Sequence, residues 1–313
     1  MTHTPQDHGG GLDAALEIYG GTRADWLDLS TGINPVPYCA TLPDGDHWTA
    51  LPDAHARNAL INAARVFWDV PPQAAILAAP GASVLIAQIP GLMPSGRVEI
   101  PQPTYNEHAA SFQAHGWHIA QTNATAQVVV NPNNPDGRLW QAEQLSAPFR
   151  IIDESFCDIA PQHSLIALAA QKNTIVLKSF GKFWGLAGLR LGFAIGDPDH
   201  IAQLAQRIGP WAVSGPALHI GAQALNDHDW AAQTRQRLHQ DAARLDGLMS
   251  GAGAQIIGGT PLFRLFQVPD AQDWHDRLAR HEILSRIFPY NPRWLRLGLP
   301  AQNRWSQLEK TLI

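Results

Sequence analysis

Hydrophobic and polar positions alternate along the middle of the chain in a pattern that predicts helices separated by short buried strands. Apolar residues recur at helical spacing over residues 54–68 and 198–208, and an apolar stretch after residue 83 predicts a further helix. Strands that alternate with helices need crossover connections, so this region should be an α/β domain with a mainly parallel sheet sandwiched by helices. The predicted strands are rich in β-branched residues, precede polar or Pro/Gly turns, and lie at residues 97–100, 127–130, 150–153 and 174–177.

The two ends of the chain have different patterns. Residues 1–36 predict an N-terminal arm with a helix over residues 12–19 and a short strand over residues 27–30. Residues 216–249 predict one helix that is long enough to bridge two domains. The last part of the chain mixes strands with helices, which is an α+β pattern. Its predicted strands and helices are residues 262–268, 294–299, 273–282 and 303–312.

The chain has 313 residues, which is enough for a large domain and a smaller one. We expect residues 37–219 to form the large domain and residues 220–313 to form a connecting helix and a small C-terminal domain. The arm, residues 1–36, is expected to belong to the small domain.

Composition and charge exclude several classes of protein. Hydrophobic residues make up 45% of the chain and charged residues 16%, as expected of a globular protein. The net charge is −5 and no lysine-rich run occurs, which argues against a nucleic-acid partner. No apolar run reaches membrane-spanning length, and residues 1–7 lack the basic and apolar parts of an export signal. Cys39 and Cys157 fit neither a disulfide framework nor a metal motif, so we expect no metal and a reducing, cytoplasmic location.

Polar side chains with chemical potential lie where predicted strands end. Asn131, Asp153 and Ser179 are each at or just past the end of a predicted strand. In open α/β sheets, ligands collect outside the carboxyl ends of the strands. These residues are therefore candidates for one binding site, although a strand-end aspartate often only caps the next turn.

Lys182 lies in the most informative segment, residues 179–190. Ser179 precedes it by three residues, Arg190 follows it by eight, and glycines at 181, 185 and 188 let the backbone pass close to a bound group. This set suits an aldehyde cofactor that carries a phosphate, because the amine can form a Schiff base while the hydroxyl and guanidinium hold the phosphate. The alternative is a Gly-rich surface loop with scattered positive charge. The segment resembles the active-site lysine segment of fold-type I pyridoxal-phosphate enzymes.

Other segments resemble segments of the same family, and they occur in the same order along the chain. The resemblance is strongest to the histidinol-phosphate aminotransferase branch of that family. Residues 131–137 read Asn-Pro-Asn-Asn-Pro-Asp-Gly, and the resemblance implies that Asn134 donates to the phenolic oxygen of the cofactor. Ala82 and Ser83 open a predicted helix whose backbone N–H groups can bind phosphate. By resemblance Tyr105 stacks on the pyridine ring, and Asp153 can keep its nitrogen protonated. The resemblance implies pyridoxal 5'-phosphate as cofactor and a homodimer.

Two positions depart from the family pattern. The tyrosine that usually follows the strand-end aspartate by three residues is Phe156, which cannot hydrogen-bond the phenolic oxygen. The usual Tyr-Pro-Asp, whose tyrosine reaches the neighbouring subunit's cofactor phosphate, reads Leu-Pro-Asp from Leu51. That contact with the neighbouring subunit is therefore expected to be missing.

Arginines in the last part of the chain suggest an anionic substrate. Arg296 lies in the apolar run 294–297, and a buried arginine needs an anionic partner, either substrate or a structural acid. In the branch that this chain resembles, the matching arginine binds the α-carboxylate of an amino acid. Arg264 and Arg286 also lie in apolar runs. Three arginines are more than one carboxylate needs, so we expect a second anion such as a substrate phosphate. Either Arg264 or Arg286 could instead be an ordinary charge at the edge of the sheet.

The N-terminal arm indicates a more specific substrate. His8-Gly9-Gly10 and residues 27–35 resemble the start of L-threonine-O-3-phosphate decarboxylases of cobalamin biosynthesis, and residues 283–286 match their second substrate-binding arginine. The resemblance implies that His8 and Arg286 bind the substrate phosphate, while Gly32, Asn134 and Arg296 hold the substrate near its carboxylate. It also implies decarboxylation of threonine phosphate to an aminopropanol phosphate.

Two other functions stay open at this point. A histidinol-phosphate-type aminotransferase would use the same residues and differ in which bond breaks. A non-catalytic pyridoxal-phosphate-binding regulator usually carries a helical DNA-binding domain ahead of the aminotransferase-like part. The arm of this chain is short and has no basic helix, which disfavours the regulator.

Overall fold

A computed structural model describes residues 8–41 and 44–312. Residues 1–7, for which the sequence predicts no export signal, lie outside the described residues, as do residues 42–43 and 313. The chain forms two compact units: residues 37–234, here called the large unit, and residues 1–36 together with 235–313, here called the small unit. The sequence predicts a boundary at residue 219, which is 15 residues before the observed end of the large unit (234 − 219).

The described residues form strands, α-helices and short 3-10 helices. The strands in chain order are β1 (Leu27–Asp28), β2 (Ala75–Ala79), β3 (Arg97–Glu99), β4 (His118–Ile119), β5 (Ala126–Val130), β6 (Phe149–Asp153), β7 (Thr174–Ser179), β8 (Gly192–Gly196), β9 (Gln255–Thr260), β10 (Phe263–Gln267), β11 (Ile283–Leu284), β12 (Arg286–Phe288) and β13 (Asn291–Gly298). The α-helices are α1 (Leu12–Tyr19), α2 (Gly45–Thr49), α3 (Ala54–Phe67), α4 (Ala82–Gln88), α5 (Asn106–Ala114), α6 (Pro198–Ile208), α7 (Gly215–Asn226), α8 (His228–Gly251), α9 (Ala271–Ala279) and α10 (Trp305–Leu312). The 3-10 helices are Ile89–Leu92, Ala142–Gln144, Cys157–Ile159, Pro161–His163, Ile166–Ala170 and Ala187–Leu189.

The large unit is built on a seven-stranded sheet with the order β2-β8-β7-β6-β5-β3-β4. The pairs from β7 to β4 are parallel, and β8 is antiparallel to both of its neighbours. The predicted mainly parallel sheet is therefore confirmed. The sequence analysis missed β2, β4 and β8 of this sheet. Strand β8 reads Gly-Phe-Ala-Ile-Gly and carries few β-branched residues. Gly196 needs to be glycine, because a Cβ there would lie 2.0 Å from the carbonyl oxygen of Thr174.

The core of the large unit lies between this sheet and the helices that pack on it. Ile151 of β6 and Ile175 of β7 share a buried cluster with Leu85 of α4, Phe112 of α5 and Leu204 of α6. Ile152 is fully buried as well, although its side chain projects to the other face of β6. Burial on both faces explains why the strands appear in the sequence as continuous apolar runs rather than as alternating patterns.

The small unit contains an antiparallel sheet with the order β12-β13-β10-β9 and a separate parallel pair, β1 and β11. One of its cores joins Leu12 and Ala15 of α1 to Trp26, Ala279 and Leu284. Helical spacing in the arm therefore identified a face that packs on residues more than 250 positions later in the chain (279 − 15 = 264). The mixture of sheet and helices confirms the predicted α+β pattern of this part.

The prediction of one helix over residues 216–249 is wrong, because α7 ends at Asn226 and α8 begins at His228. Asp227 between them has non-helical dihedral angles, φ −95° and ψ 75°. Its carboxylate accepts a hydrogen bond from the backbone N–H of Trp230 at 2.9 Å, which caps the start of α8. Helix α8 continues through the boundary between the two units at residue 234. Among the described residues, no helix combines the length and the apolar character needed to cross a membrane.

Candidate active site

One cleft of the large unit brings together every residue that the sequence analysis assigned to the cofactor. The cleft has a volume of about 130 Å³. Its lining includes Ala82, Ser83, Tyr105, Asn134, Asp153, Ser179, Lys182 and Arg190. Most of these residues follow the carboxyl ends of sheet strands, where ligands of α/β proteins collect. The structure thus brings these groups together, and their individual roles stay predictions.

Arg190 reaches the start of α4 because the backbone there has no side chain. Gly81, which directly precedes α4, has φ +92°, and a Cβ on it would lie 2.5 Å from Nη2 of Arg190. Gly192 allows a second close approach, since a Cβ there would lie 2.4 Å from the backbone nitrogen of Ala82. The guanidinium, the backbone of α4 and the hydroxyl of Ser83 therefore share one region of the cleft. This donor set suits a phosphate.

Asp153 is 2% exposed, and both of its carboxylate oxygens are engaged. Oδ2 lies 2.9 Å from Nε2 of His108, and Oδ1 accepts hydrogen bonds from the backbone N–H and the hydroxyl of Ser155 at 2.9 and 2.5 Å. Burial alone would raise the pKa of Asp153, but the hydrogen bonds and charge of His108 and the bonds from Ser155 outweigh it. The pKa therefore lies below its ordinary value, and the carboxylate stays ionised inside the cleft.

The sequence analysis missed His108, which belongs to this site through Asp153. His108 lies three residues after Tyr105, in the first turn of α5, and its ring packs edge-on against that of Tyr105 with centroids 6.1 Å apart. It is 1% exposed, whereas histidines are on average only partly buried. The available signal was its position three residues after Tyr105, a candidate site residue.

Tyr105 and Phe156 give the cleft its aromatic surfaces. Burial, then the nearby Glu107 and Asp153, raise the pKa of Tyr105 to about 12, so the phenol remains neutral. The Nζ atom of Lys182 lies over the ring of Phe156, 5.4 Å from its centroid. Phe156 is 5% exposed and presents no hydroxyl to the cleft. The amine of Lys182 thus borders an apolar ring in a cleft that also contains a buried carboxylate.

The groups in the cleft fit pyridoxal phosphate chemically. An amine is available for its aldehyde, a buried carboxylate for its ring nitrogen, an amide for its phenolic oxygen, and hydroxyls with a guanidinium for its phosphate. The departure at Phe156 leaves Asn134 as the lining amide for the phenolic oxygen.

The small unit contains a pair of arginines on one face of its sheet. Arg286 of β12 and Arg296 of β13 are directly opposite each other, so their side chains project from the same face. Arg296 is 5% exposed and donates from Nη2 to the carbonyl oxygen of Ser30 at 2.6 Å. Burial, then the positive charge of Arg286, lower the pKa of Arg296 to about 10. An anion bound at this face would offset both effects.

Arg264, which the sequence analysis also counted as a candidate substrate residue, does not project from the same face as that pair. Leu265 is the residue of β10 that is opposite Arg296, so Arg264 projects from the other face of the sheet. Its Nε and Nη2 atoms donate to the two carboxylate oxygens of Asp246, each at 2.8 Å. Arg264 therefore has a structural acid as its partner, and the geometry favours a role in the small unit itself.

The glycine-rich start of the arm packs against Ser30, which follows β1 and is bonded to Arg296. Ser30 accepts a hydrogen bond at Oγ from the backbone N–H of Gly10 at 2.7 Å, and its hydroxyl donates to Asp28 at 2.6 Å. A Cβ on Gly9 would lie 2.4 Å from the carbonyl oxygen of Ser30, so this approach requires glycine. His8 is exposed at the end of this segment, and Gly32 is buried two residues after Ser30. The two halves of the arm motif are thus neighbours in the structure.

Comparison with known proteins gives consistent results for the sequence and the fold. A model of the family "Aminotransferase class I and II" matches residues 119–311. The chain is 43% identical to a threonine-phosphate decarboxylase of Sinorhizobium sp, covering 94% of this chain and 93% of the relative. It is 38% identical to a threonine-phosphate decarboxylase of Pseudomonas aeruginosa, covering 98% and 97%. A histidinol-phosphate aminotransferase from Sinorhizobium meliloti, solved with pyridoxal-5'-phosphate, has a TM-score of 0.80 at 18% identity and covers 96% of this chain and 94% of that one. The last likeness confirms the predicted fold-type I architecture.

Proposed function

Because this chain belongs to the class I and II aminotransferase family, we propose that it is a pyridoxal-phosphate-dependent threonine-phosphate decarboxylase. The reaction converts L-threonine O-3-phosphate into (R)-1-amino-2-propanol O-2-phosphate and carbon dioxide, as a step of cobalamin biosynthesis. The observation that carries the proposal is the pair Arg286 and Arg296 on one sheet face, because this substrate has two separate acidic groups. Two relatives with this activity in their names match almost the whole chain.

Each group of the cleft has a role in this proposal. Bound pyridoxal phosphate supplies an electron sink for the electron pair that remains when the bond between Cα and the carboxylate breaks. Lys182 would hold the cofactor through its aldehyde, and its Nζ would deliver a proton to Cα. Asp153 keeps a positive charge on the ring nitrogen, and its own charge is maintained by His108 and Ser155. Ser83, Ser179 and Arg190 hold the phosphate of the cofactor.

The small unit supplies the groups that distinguish the substrate. Arg296 binds the carboxylate, and Arg286 with His8 binds the phosphate. A guanidinium fork on each acidic group would fix the orientation of Cα, which determines the bond that is broken. The side of the sheet that carries Arg264 has no part in this step.

The direct test supplies purified enzyme and pyridoxal phosphate with threonine phosphate and measures released carbon dioxide. We expect release of one carbon dioxide per aminopropanol phosphate formed. Transfer of an amino group from glutamate to the cofactor, with no carbon dioxide, would instead identify an aminotransferase. Tight cofactor binding without either reaction would revive the non-catalytic regulator.

Arg286→Gln is expected to weaken binding of threonine phosphate while leaving the cofactor site unchanged. Removing one partner of a desolvated charge pair costs about 2–5 kcal/mol, so KM should rise by at least roughly 30-fold. Arg264→Gln is the matched control, since it removes an arginine from the opposite face of the same sheet. It should lower the melting temperature and leave KM within about twofold. Equal effects of the two substitutions on KM would contradict the assignment of Arg286.

A homodimer is also part of the proposal. Trp48, Leu51 and Trp211 of the large unit are 64%, 67% and 61% exposed, which is unusual for side chains of this size. Trp211 lines a second cleft together with Pro52 and residues 76–78 of the edge strand β2. An exposed apolar rim beside an edge strand suits a second copy of the chain.

Trp211→Glu is therefore expected to produce monomers, because it places a charge in the proposed interface. Sedimentation velocity at micromolar concentration would measure the change. Val66→Glu is the control, since Val66 is 70% exposed on α3 and is absent from the lining of that cleft. A dimer that tolerates Trp211→Glu would place the interface elsewhere.

A cytoplasmic location is proposed as well. Cys39 is an exposed free thiol and Cys157 is a buried one. Exposed thiols persist in reducing compartments.

A further inference from the structure

A buried group of charges lies beside the cleft and takes no part in the proposed chemistry. The group, here called the Lys178 cluster, consists of Lys178, Glu154 and Asp158 with the indoles of Trp68 and Trp184. The three charged residues are 2%, 1% and 4% exposed, and the two tryptophans are 6% and 0% exposed. One ammonium thus lies between two carboxylates in a region that is shielded from water. Such burial is costly unless every group is well paired.

Hydrogen bonds within the cluster meet that requirement. The ammonium of Lys178 lies 2.6 Å from Oε2 of Glu154 and 3.7 Å from Oδ1 of Asp158. Glu154 also accepts from the hydroxyl of Ser164 at 2.6 Å. Burial alone would lower the pKa of Lys178, but the neighbouring carboxylates outweigh it and raise the pKa above its ordinary value.

Asp158 connects two different parts of the large unit. Its Oδ1 accepts from Nε1 of Trp68, which follows α3, at 2.8 Å. Its Oδ2 accepts from Nε1 of Trp184 at 3.0 Å. Trp184 lies two residues after Lys182, in a turn closed by the bond from the Gly185 N–H to the Lys182 carbonyl oxygen at 3.1 Å. The carboxylate is therefore bonded to the lysine turn on one side and to a helix end on the other.

Two residues of the cluster are also adjacent in sequence to residues of the cleft. Glu154 follows Asp153, and Lys178 precedes Ser179. Successive side chains of a strand project to opposite faces, so Ser179 faces the cleft while Lys178 projects away from it. The indole of Trp184 is held in the same apolar layer by stacking on Phe180 and Trp230, with ring centroids 5.2 and 5.3 Å away.

We propose that Asp158, anchored by Lys178, is a positioning residue that fixes the turn carrying Lys182 through its hydrogen bond to Trp184. The proposal rests on the proposed function, because it assigns Lys182 as the group that reacts. Asp158 acts on Lys182 through the backbone of the turn. The indole N–H of Trp184 donates to Asp158 and so attaches this turn to the Lys178 cluster.

Trp184→Phe and Trp68→Phe form a matched pair of variants. Each removes one indole N–H from the same carboxylate, and each leaves an aromatic ring in a buried position. The phenyl ring that replaces the indole of Trp184 would still stack between Phe180 and Trp230. Trp140→Phe is a further control, because the Nε1 atom of Trp140 is buried and makes no hydrogen bond among the described residues. A purely structural role predicts that the first two variants behave alike, since they lose the same kind of bond.

The experiment uses the complete protein loaded with pyridoxal phosphate. Three quantities are measured for each variant: melting temperature, kcat and KM for threonine phosphate, and visible circular dichroism of the bound cofactor relative to its absorbance. We expect Trp184→Phe to lower kcat about tenfold with KM within about twofold, and to change the circular dichroism, because small misplacements of a reacting group are expensive. Trp68→Phe should lower the melting temperature about as much as Trp184→Phe does, but it should keep the kcat and the circular dichroism of the unmodified enzyme. Trp140→Phe should change neither kcat nor the circular dichroism.

Equal losses of kcat and of circular dichroism in Trp184→Phe and Trp68→Phe would overturn the proposal. Unchanged kcat and circular dichroism in Trp184→Phe would overturn it too. The circular dichroism needs only bound cofactor and no turnover. If the unmodified enzyme releases no carbon dioxide, the proposed function fails while the comparison of the two variants still decides the role of Asp158.

Discussion

Lys182→Ala is expected to abolish turnover and covalent retention of pyridoxal phosphate. The substitution removes both the amine that binds the aldehyde and the proton donor to Cα, and proton transfer by a positioned group alone contributes about 10²–10⁴-fold. We therefore expect kcat to fall by at least roughly 10³-fold. Borohydride reduction of the loaded enzyme, followed by peptide mapping, measures the covalent attachment. Noncovalent binding through Ser83, Ser179 and Arg190 should persist at reduced affinity.

Because the chain has few lysines, peptide mapping can assign the attachment to one of them. The chain has four, at positions 172, 178, 182 and 310. Lys172 and Lys310 are exposed, while Lys178 is paired with Glu154. Lys172→Ala is the control and should leave attachment and turnover unchanged. A reduced adduct that remains in Lys182→Ala, on any of the other three lysines, would remove the basis of the proposed function.

Asp153→Asn is expected to cause the second-largest loss. Asparagine has almost the same shape but no charge, so the ring nitrogen of the cofactor would lose its counter-ion. Removing one such electrostatic contact typically costs about 10²–10³ in kcat. The kinetic measurement should show the loss in kcat with a smaller change in KM, since the substrate arginines are untouched. Asp197→Asn is the control, because Asp197 is also a mostly buried strand-end aspartate, and it caps α6 outside the cleft.

The pH dependence gives a second check on Asp153. Because its pKa lies below the ordinary carboxyl value, Asp153 is already ionised at every pH above about 4. The ratio of kcat between the unmodified enzyme and Asp153→Asn should therefore be constant from about pH 6 to about pH 9. A ratio that falls steadily as the pH is lowered through this range would mean that Asp153 takes up a proton there, which the contacts of His108 and Ser155 oppose.

Local sequence patterns were sufficient for three of the sheet strands that end at the cleft. Strands β5, β6 and β7 are short, apolar and rich in β-branched residues, and each directly precedes a polar residue or turn. Asp153, Ser179 and Lys182 could thus be placed near one another from these patterns alone. Strand β8 and the break at Asp227 were missed, because each depends on a few residues whose conformation is imposed by contacts with distant parts of the chain.

The arginines show the limit of reasoning from the sequence. Arg264, Arg286 and Arg296 all lie in apolar runs, and nothing local separates a substrate ligand from a structural ion pair. Strand register separates them, since it puts Arg286 and Arg296 on one face and Arg264 on the other. Register is a property of pairing between strands that are distant in the sequence, and a shift of one residue would exchange the faces.

The sequence by itself determined the architecture and indicated Lys182 and the chemical groups that line the cleft with it, because strand-end motifs and helical spacing are local features of the chain. Only the tertiary structure decided which buried groups support them: His108 against Asp153, Asp246 against Arg264, and Asp158 behind the lysine turn. Each of these contacts joins residues that are at least 18 positions apart, so its energy depends on packing that no local pattern encodes.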